Sequence, residues 1–303
     1  MYDYIIGIDG GGTKTLGVVY DYEGNELKRI QVGFSNFSVN VEKSKKTIME
    51  LIMKLVSGIG KDKKVFIQMG VAGASRLSDT ADFLREIEEQ FDCKASLDVD
   101  ATIGLYAIEK TRDESLIMAI GGTGSVIMIE HENEINRLGG WGHILGDGGS
   151  AYHFVIAALK QLIDEYETKS SFSVMSERLI KVIGLKNPKQ LVEYVYNTDK
   201  STLAQLSLEI QDVSNRDPKV KELLIAEGKL LAEQIIKAYK AYVKKGPVVV
   251  ALRGSFALKA LYVNETILAE VNKAIPNVRF DLYGREPVYG AYVLAKKKIE
   301  GDL

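Results

Sequence analysis

The sequence predicts a mixed α/β protein built from two lobes. Strand patterns alternate with helical patterns over the first hundred residues, which is typical of sheets covered by helices. A strand, a glycine turn and a second strand occur near the N-terminus and again about 110 residues later. The chain has 303 residues, 46% of them hydrophobic, which is enough for one large domain or two ordinary ones.

The first lobe is predicted to open with an antiparallel meander. The segments YIIGI, TLGVVYDY and ELKRIQV are rich in β-branched residues, and glycine turns separate them. Residues 41–57 carry apolar side chains at helical spacing, after which KVFIQMGVAG and ASLDV read as buried strands. A helix from about 102 to 110 then leads to the next strand.

The second lobe is predicted to begin with a copy of the first hairpin. LIMAIGGTGSVIMIE aligns with IIGIDGGGTKTLGVVY, so that Gly-Gly-Thr at 11–13 falls on Gly-Gly-Thr at 121–123. In this alignment Asp9 falls on Ala119. The chain is therefore expected to be internally duplicated, with a carboxylate in only one copy.

The remainder is predicted to be mostly helical from about residue 151, with a long helix from Lys219 to Lys245. A buried strand from Pro247 to Leu252 interrupts it and runs through a glycine turn into a helix, SFALKALYVNETILAEV. A short strand and a helix end the chain. We expect an N-terminal lobe of residues 1–114 plus 285–303, and a C-terminal lobe of residues 115–284 with a helical insertion.

Composition argues against several classes of function. The chain has 39 basic and 41 acidic residues, so we expect neither a nucleic-acid partner nor a membrane surface. Cys93 is the only cysteine, which rules out an intrachain disulfide and fits the reducing cytoplasm. The sequence shows no export signal or membrane span. The three histidines lack ligand spacing and are interpreted as ordinary polar residues.

The first hairpin, DGGGTKT, predicts a phosphate site. Its glycines let another atom approach the backbone, whose N–H groups form an anion-binding concavity. Lys14 and the hydroxyls of Thr13 and Thr15 add donors, and Asp9 is suited to hold Mg²⁺ beside phosphate oxygens. An ordinary tight hairpin is the alternative. The spacing matches neither a P-loop nor a dinucleotide fingerprint.

Two further glycine segments offer backbone donors. GGTGS adds the side chains of Thr123 and Ser125, and RGSFA places Gly254 and Ser255 between a buried strand and a helix. For the second segment, plain strand-to-helix packing is the alternative.

A carboxylate and a glycine-rich loop suggest an acceptor site. Asp100 follows a buried strand, at the edge where α/β sheets bind ligands, and is a candidate base. Asp98 is the weaker candidate, and the alternative is that one of the two merely caps a loop or a helix. GGWGHILGDGGSAY holds the only tryptophan, Trp141, which suits the face of a sugar ring or, alternatively, a half-buried core position.

Taken in order, these motifs resemble the N-acetylglucosamine kinase group of the BadF/BcrA-type ATPase family, within the acetate and sugar kinase, actin and heat-shock ATPase superfamily. The match runs end to end and includes GTGS at 122–125, GSFA at 254–257 and PVYGA at 287–291. The resemblance implies two ribonuclease H-like (actin-like ATPase) lobes with a nucleotide and sugar cleft between them.

The resemblance also implies residue roles. Asp9 would hold Mg²⁺, and Asp100, in VDATIG, would accept the proton of the sugar hydroxyl. Asn36 in GFSNFS, together with Gly140 and Asp147, would bind the sugar, with Trp141 and Thr123 beside it. The ATP-binding set would comprise Gly11, Gly12, Thr13, Lys14, Thr123, Gly124, Ser125, Gly254 and Ser255.

The implied function is ATP-dependent phosphorylation of a sugar hydroxyl, expected to be that on carbon 6, by a homodimer. Gly148 stands where the family usually has an acidic residue, and Arg253 where it usually has glycine.

One alternative is an ATPase that activates a dehydratase, which needs cluster-binding cysteines from both subunits. Another is a sugar-responsive regulator, which needs a DNA-binding module. The sequence does not choose among the acceptor sugars.

Overall fold

A computed structural model describes residues 2–132 and 134–302. The chain divides into two compact units, Met1–Glu109 with Tyr283–Leu303, and Lys110–Leu282. Within the described residues there are ten strands and eleven α-helices, numbered below in chain order, together with two short 3₁₀-helices and one π-helical turn.

The first unit contains one five-stranded sheet and four helices. Its strands are β1 (Tyr4–Gly10), β2 (Thr15–Asp21), β3 (Glu26–Val32), β4 (Val65–Val71) and β5 (Lys94–Asp98). Its helices are α1 (Val41–Val56), α2 (Thr80–Phe91), α3 (Asp100–Tyr106) and α11 (Pro287–Glu300).

Helices cover both faces of this sheet, whose strand order is β3-β2-β1-β4-β5. Strand β1 pairs antiparallel with β2 and parallel with β4. Alternate residues of β1 enter different cores: Ile6 and Ile8 pack with α1 and α2, whereas Ile5 packs with α11. A Cβ on Gly290 would lie 1.8 Å from the Ile103 carbonyl oxygen, so glycine permits the close packing of α11 on α3.

The second unit has a second five-stranded sheet and seven helices. Its strands are β6 (Ser115–Gly121), β7 (Ser125–His131), β8 (Glu134–Gly139), β9 (Val248–Arg253) and β10 (Val278–Asp281). Its helices are α4 (Ala151–Glu167), α5 (Val174–Ile183), α6 (Leu191–Asn197), α7 (Lys200–Gln211), α8 (Pro218–Ala238), α9 (Ser255–Lys259) and α10 (Val263–Ala274).

The second sheet repeats the order of the first, β8-β7-β6-β9-β10, which confirms the predicted duplication. The alignment of the two hairpins was wrong by one residue. Gly10 pairs with Thr15 at the base of the first hairpin, and Gly121 pairs with Ser125 at the base of the second. Because the second loop is one residue shorter, the counterpart of Asp9 is Ile120 and not Ala119.

Several predicted elements differ in detail. The helix predicted from Ser255 is two helices, because Tyr262 adopts a left-handed conformation with φ 61° between α9 and α10. The helix expected to reach Lys245 ends as α-helix at Ala238 and continues as a π-helical turn, Tyr239–Val243. Strand β8 was not predicted. Within the described residues, no helix is long and apolar enough to span a bilayer.

Candidate functional site

The first glycine hairpin joins β1 to β2 through an exposed loop at residues 12–14. The Gly11 N–H donates to the Lys14 carbonyl oxygen at 3.0 Å and closes the loop. Thr15 is fully buried; its hydroxyl donates to the Gly33 carbonyl oxygen at 2.7 Å and lies 2.8 Å from Ser35 Oγ. Thr15 therefore anchors the hairpin, contrary to its expected role as a hydrogen-bond donor to phosphate. Thr13 and Lys14, in contrast, stay accessible.

Asp9 lies at the end of β1, partly buried, and its carboxylate has no hydrogen-bond partner among the described residues. Burial raises its pKa to about 6 from the usual 3.8, and repulsion from the Asp100 and Glu286 carboxylates adds to the effect, which Lys14 opposes. The fold thus holds the Asp9 carboxylate where its charge is poorly compensated. A cation bound beside Asp9 would relieve that cost.

Asp100 begins α3, immediately after the sheet edge formed by β5. Its Oδ1 accepts from the Ala101 N–H at 3.0 Å. Although the residue as a whole is exposed, partial desolvation of the carboxyl group raises the Asp100 pKa, and backbone hydrogen bonds oppose that rise. Asp98, the alternative candidate, instead pairs with Lys298 at 2.7 Å and with Gln68 Nε2 at 2.9 Å. Asp98 therefore ties α11 to the sheet.

Asn36 is brought to the first hairpin by its neighbour. The Ser35 N–H donates to the Gly11 carbonyl oxygen at 3.0 Å, and Asn36 itself forms a bridge to Ala72 after β4. Its Oδ1 accepts from the Ser38 N–H at 2.8 Å. The Asn36 amide N–H₂ has no partner among the described residues and is the end of the side chain available to a ligand.

The second hairpin, between β6 and β7, is fixed on the N-terminus of α4. The Gly122 N–H donates to the Gly124 carbonyl oxygen, and the Gly122 carbonyl oxygen accepts from the Ala151 N–H, both at 2.9 Å. The Ser125 N–H donates to Asp147 Oδ1 at 3.2 Å, and its hydroxyl donates to the Gly148 carbonyl oxygen at 2.8 Å. Ser125 is thus used internally. The backbone N–H groups of residues 123 and 124 have no partner in the described part of the chain.

Asp147 is buried beside this hairpin in a left-handed conformation with φ 67°. Its Oδ2 accepts from Lys200 Nζ at 2.6 Å, and a Cβ on Gly124 would lie 2.6 Å from that same nitrogen. Lys200 belongs to α7, in the helical insertion, and no sequence motif singled it out. The structure therefore brings Asp147 and the Lys200 ammonium together beside the second hairpin.

The glycine-rich loop presents Trp141 to solvent. Trp141 is 68% exposed, which excludes the core interpretation, and the Arg137 guanidinium lies 5.3 Å from the centre of its ring. Gly140 has φ 69°, and a Cβ there would lie 2.9 Å from Val126 Cγ2, so this position requires glycine. The exposed indole is free to contact a sugar face.

Glu227, on α8, holds the far end of the loop and was not anticipated from the sequence. Its side chain is buried; Oε2 accepts from the Gly149 N–H at 2.8 Å, and Oε1 lies 2.7 Å from His153 Nδ1. The hydrogen bond to Glu227 raises the pKa of His153. This carboxylate therefore binds the backbone of the loop one residue after Gly148.

Gly254 approaches the second hairpin closely. It has φ 86°, and a Cβ there would lie 2.5 Å from the Gly121 carbonyl oxygen. Ser255 opens α9, which spans only Ser255–Lys259. Arg253 donates through Nη1 to the Leu252 and Asp281 carbonyl oxygens and through Nη2 to Asp281 Oδ1 at 3.1 Å, so its charge is held against β10.

Each unit therefore assembles one group of predicted residues. The first unit groups Asp9, the hairpin, Asn36 and Asp100. The second unit groups its hairpin with Asp147 and Gly254, while Gly140 and Trp141 lie on the loop that leads to Asp147. Among the described residues, no cluster of three or more His, Cys, Asp or Glu side chains has the arrangement of a metal site.

Two duplicated sheets, each with a glycine hairpin, define an actin-like ATPase fold. The solved structure of a candidate N-acetylglucosamine kinase from Chromobacterium violaceum has a TM-score of 0.71 and 19% identity, and the match covers 97% of this chain and 99% of that one. The fold class predicted from the sequence is thus confirmed.

The chain belongs to the BadF/BadG/BcrA/BcrD ATPase family, whose model matches residues 6–295. It is 27% identical to the N-acetylmuramic acid/N-acetylglucosamine kinase of Clostridium acetobutylicum, over 98% of this chain and 99% of that protein. It is 26% identical to the N-acetyl-D-glucosamine kinase of Dictyostelium discoideum, over 75% of this chain and 76% of that protein. These matches confirm the family resemblance seen in the motifs.

Proposed function

We propose that this protein is an ATP-dependent sugar kinase that transfers the γ-phosphoryl group to a hydroxyl of an N-acetylhexosamine, the carbon-6 hydroxyl being the expected acceptor. The observation that carries the proposal is the grouping of Asp9, Asn36 and Asp100 around the first glycine hairpin. Membership of an ATPase family and similarity to two N-acetylglucosamine kinases support it. A homodimer in the cytoplasm is part of the proposal.

The donor set at Asp9 fits Mg²⁺. This ion binds proteins through one or two carboxylates and keeps several waters beside substrate phosphates. Asp9 offers one partly buried carboxylate without a hydrogen-bond partner among the described residues, and its raised pKa reports an uncompensated charge. When bound, Mg²⁺ would neutralise charge on the phosphate oxygens of ATP.

Positioning by backbone and side chains accounts for most of the proposed catalysis, because phosphoryl transfer passes through a loose transition state. The N–H groups of residues 12–14 and of residues 123 and 124 would bind phosphate oxygens, with the Lys14 ammonium beside them. The Asn36 amide would donate to the sugar. Gly254 would lie near adenosine.

Asp100 would act as the base. Its Oδ1 is occupied by the Ala101 N–H, so Oδ2 is the oxygen left to accept the proton of the sugar hydroxyl. The raised pKa makes this carboxylate a stronger base than an ordinary exposed aspartate. The hydroxyl oxygen then bonds to phosphorus as the bond from phosphorus to the β–γ bridging oxygen of ATP breaks.

The number of cysteines argues against the dehydratase-activator alternative. A four-iron cluster shared by two subunits needs four thiolate ligands, two from each subunit. Cys93 is the only cysteine in the chain, so two subunits together would offer only two. The sugar kinase proposal is therefore the better supported of the two.

The test is ADP release by the purified protein with Mg-ATP across N-acetylglucosamine, glucose, glucosamine and N-acetylmannosamine, with a no-sugar control. We expect sugar-dependent release, with the highest kcat/KM for an N-acetylated sugar. Equal ADP release with and without sugar would contradict the proposal and redirect it toward an ATPase with a protein client.

A further inference from the structure

Lys200 is a cation beside the second hairpin that the proposed mechanism has not used. It begins α7, in the helical insertion of the second unit, and its Nζ donates to Asp147 Oδ2 at 2.6 Å. The Asp147 side chain is 3% exposed, whereas that of Lys200 is 29% exposed. The buried carboxylate therefore fixes the position of the ammonium, while part of the lysine side chain remains open to solvent.

The ammonium lies against the backbone of the second glycine hairpin. A Cβ on Gly124 would lie 2.6 Å from Lys200 Nζ and 2.8 Å from Asp147 Oδ2, so a side chain at position 124 would collide with the ion pair. The N–H groups of residues 123 and 124 have no partner in the described part of the chain. A positive charge therefore lies next to backbone donors that are available to an anion.

The surroundings of Lys200 leave room for a phosphate oxygen. An ammonium has three N–H donors, and Asp147 is the one partner of Lys200 among the described residues, so two donors remain. Lys200 also lines a cavity of about 500 Å³, and none of the described residues that line this cavity is acidic. A phosphate oxygen would accept a charge-assisted hydrogen bond from the ammonium without meeting a carboxylate of the lining.

The neighbours of Lys200 indicate which phosphate it would contact. In the proposed reaction the hairpin binds the phosphates of ATP, and Asp147 belongs to the acceptor side. Lys200 binds Asp147 and lies beside Gly124 of the hairpin, so its ammonium is placed between the donor and the acceptor groups. The group that passes from donor to acceptor is the γ-phosphoryl group.

We propose that Lys200 is a further catalytic residue, whose ammonium binds a γ-phosphate oxygen of ATP and stabilises the charge on the phosphoryl group during transfer. The inference rests on the proposed sugar kinase function. As the sugar hydroxyl oxygen bonds to phosphorus, the bond from phosphorus to the β–γ bridging oxygen breaks, and its electron pair leaves with ADP. The hydroxyl proton passes to Asp100, and Lys200 keeps its protons throughout.

The test measures how much the γ-phosphate contributes to nucleotide binding. Calorimetry with Mg²⁺ gives the affinity for ADP and for the β,γ-imido analogue of ATP, and kinetics gives kcat and the sugar KM. In Lys200→Met the affinity for the analogue should fall about tenfold and that for ADP less than about twofold, as expected for loss of one hydrogen bond to a charged group. The kcat should fall by about 10², as when one donor to a developing charge is removed.

A purely structural role of Lys200 predicts a different result. If Lys200 only holds Asp147, Lys200→Met should raise the sugar KM and leave the ratio of analogue to ADP affinity unchanged, and that result overturns the inference. Lys200→Arg keeps a cation and should retain more of this ratio than Lys200→Met. Lys189→Met removes an exposed lysine of the same insertion and should change neither the ratio nor kcat.

A second pair of variants decides the question even if Lys200→Met fails to fold, since that substitution leaves the buried Asp147 carboxylate without its cation. Asp147→Asn removes the carboxylate charge and keeps Lys200, whereas Asp147→Asn combined with Lys200→Met removes both charges. The ratio of analogue to ADP affinity should be about tenfold lower in the double variant than in Asp147→Asn. Equal ratios in the two proteins contradict the inference.

The outcome separates this inference from the proposed function, because the nucleotide affinities are measured without an acceptor. If a sugar is phosphorylated but the affinity ratio does not depend on Lys200, the role of Lys200 is wrong and the kinase function stands. If the ratio depends on Lys200 but no sugar in the panel is phosphorylated, the kinase function is wrong, and the catalytic role of Lys200 falls with it.

Discussion

Replacing Asp9 by asparagine is expected to stabilise the ligand-free protein while abolishing its activity. Burial and the neighbouring carboxylates raise the Asp9 pKa from 3.8 to about 6. The ionised group therefore destabilises the folded state. The cost at pH 7 is about 3 kcal/mol, taking about 1.4 kcal/mol for each tenfold change in the ionisation constant.

The dependence on pH follows from the sign of the shift. A carboxyl group with a raised pKa binds more protons in the folded than in the unfolded state between pH 3.8 and about 6. Stability is therefore lost as pH rises through this interval. Asp9→Asn removes this loss, although the amide stays partly buried, so we expect a gain of about 1–3 kcal/mol at pH 7 and none at pH 3.5.

The assay is urea unfolding followed by circular dichroism, at both pH values, with and without Mg²⁺ and ATP. Together these ligands should stabilise the natural protein more than the variant, because the variant lacks the proposed ligand for the ion. Equal or lower stability of the ligand-free variant at pH 7 would refute the electrostatic reasoning. Equal stabilisation of both proteins by Mg²⁺ and ATP would refute the assignment of Asp9 to Mg²⁺.

Three further substitutions test the site. Asp100→Asn should retain ATP affinity but lower kcat by about 10²–10⁴, as expected for loss of a general base; kinetics and calorimetry measure the two. Gly254→Ala should weaken ATP binding and cost more than 2 kcal/mol of stability, because the new Cβ would lie 2.5 Å from a carbonyl oxygen. Glu227→Gln should cost about 1–3 kcal/mol and raise the sugar KM, because the amide cannot accept both hydrogen bonds of the carboxylate.

Matched controls identify the cause in each case. Asp98→Asn should retain most of the activity that Asp100→Asn loses, and retention of more than a tenth of kcat by Asp100→Asn would count against its role as the base. Gly184→Ala has similar backbone strain at φ 78° but no neighbour within 4 Å, so an equal cost at Gly184 and Gly254 would contradict the packing argument. Glu193→Gln, on an exposed helix position, should leave stability unchanged.

The strands other than β8 followed from local signals. Buried β-branched runs and glycine turns mark the hairpins, and each run fixes its own strand wherever the rest of the chain lies. Strand β8 was missed because Glu134 and Asn136 interrupt its apolar residues, so that its sequence lacks a strand pattern. Its extended conformation comes from its pairing with β7, which the local sequence does not indicate. The one-residue error at Asp9 arose because identical glycines were aligned, whereas the register of the hairpin pairs decides the correspondence.

Motifs identified the residues that stand in loops after strands, but not those that reach them from distant helices. Lys200 and Glu227 contact Asp147 and Gly149 across 53 and 78 positions of sequence. The local sequence does not distinguish a lysine or glutamate that makes such a contact from the other charged residues of an amphipathic helix. Thr15 shows the converse. Its place in a motif that resembles a phosphate-binding loop suggested a ligand contact, whereas it is buried and anchors the hairpin.

The measurement that tests the central claim most directly is the stoichiometry of phosphoryl transfer. The purified protein would be incubated with Mg-ATP and N-acetylglucosamine, and ADP and sugar phosphate quantified together, with the position of the phosphate read by phosphorus and proton NMR. The account predicts one molecule of sugar 6-phosphate for each ADP, and loss of both products in Asp100→Asn. ADP formed without sugar phosphate would contradict it.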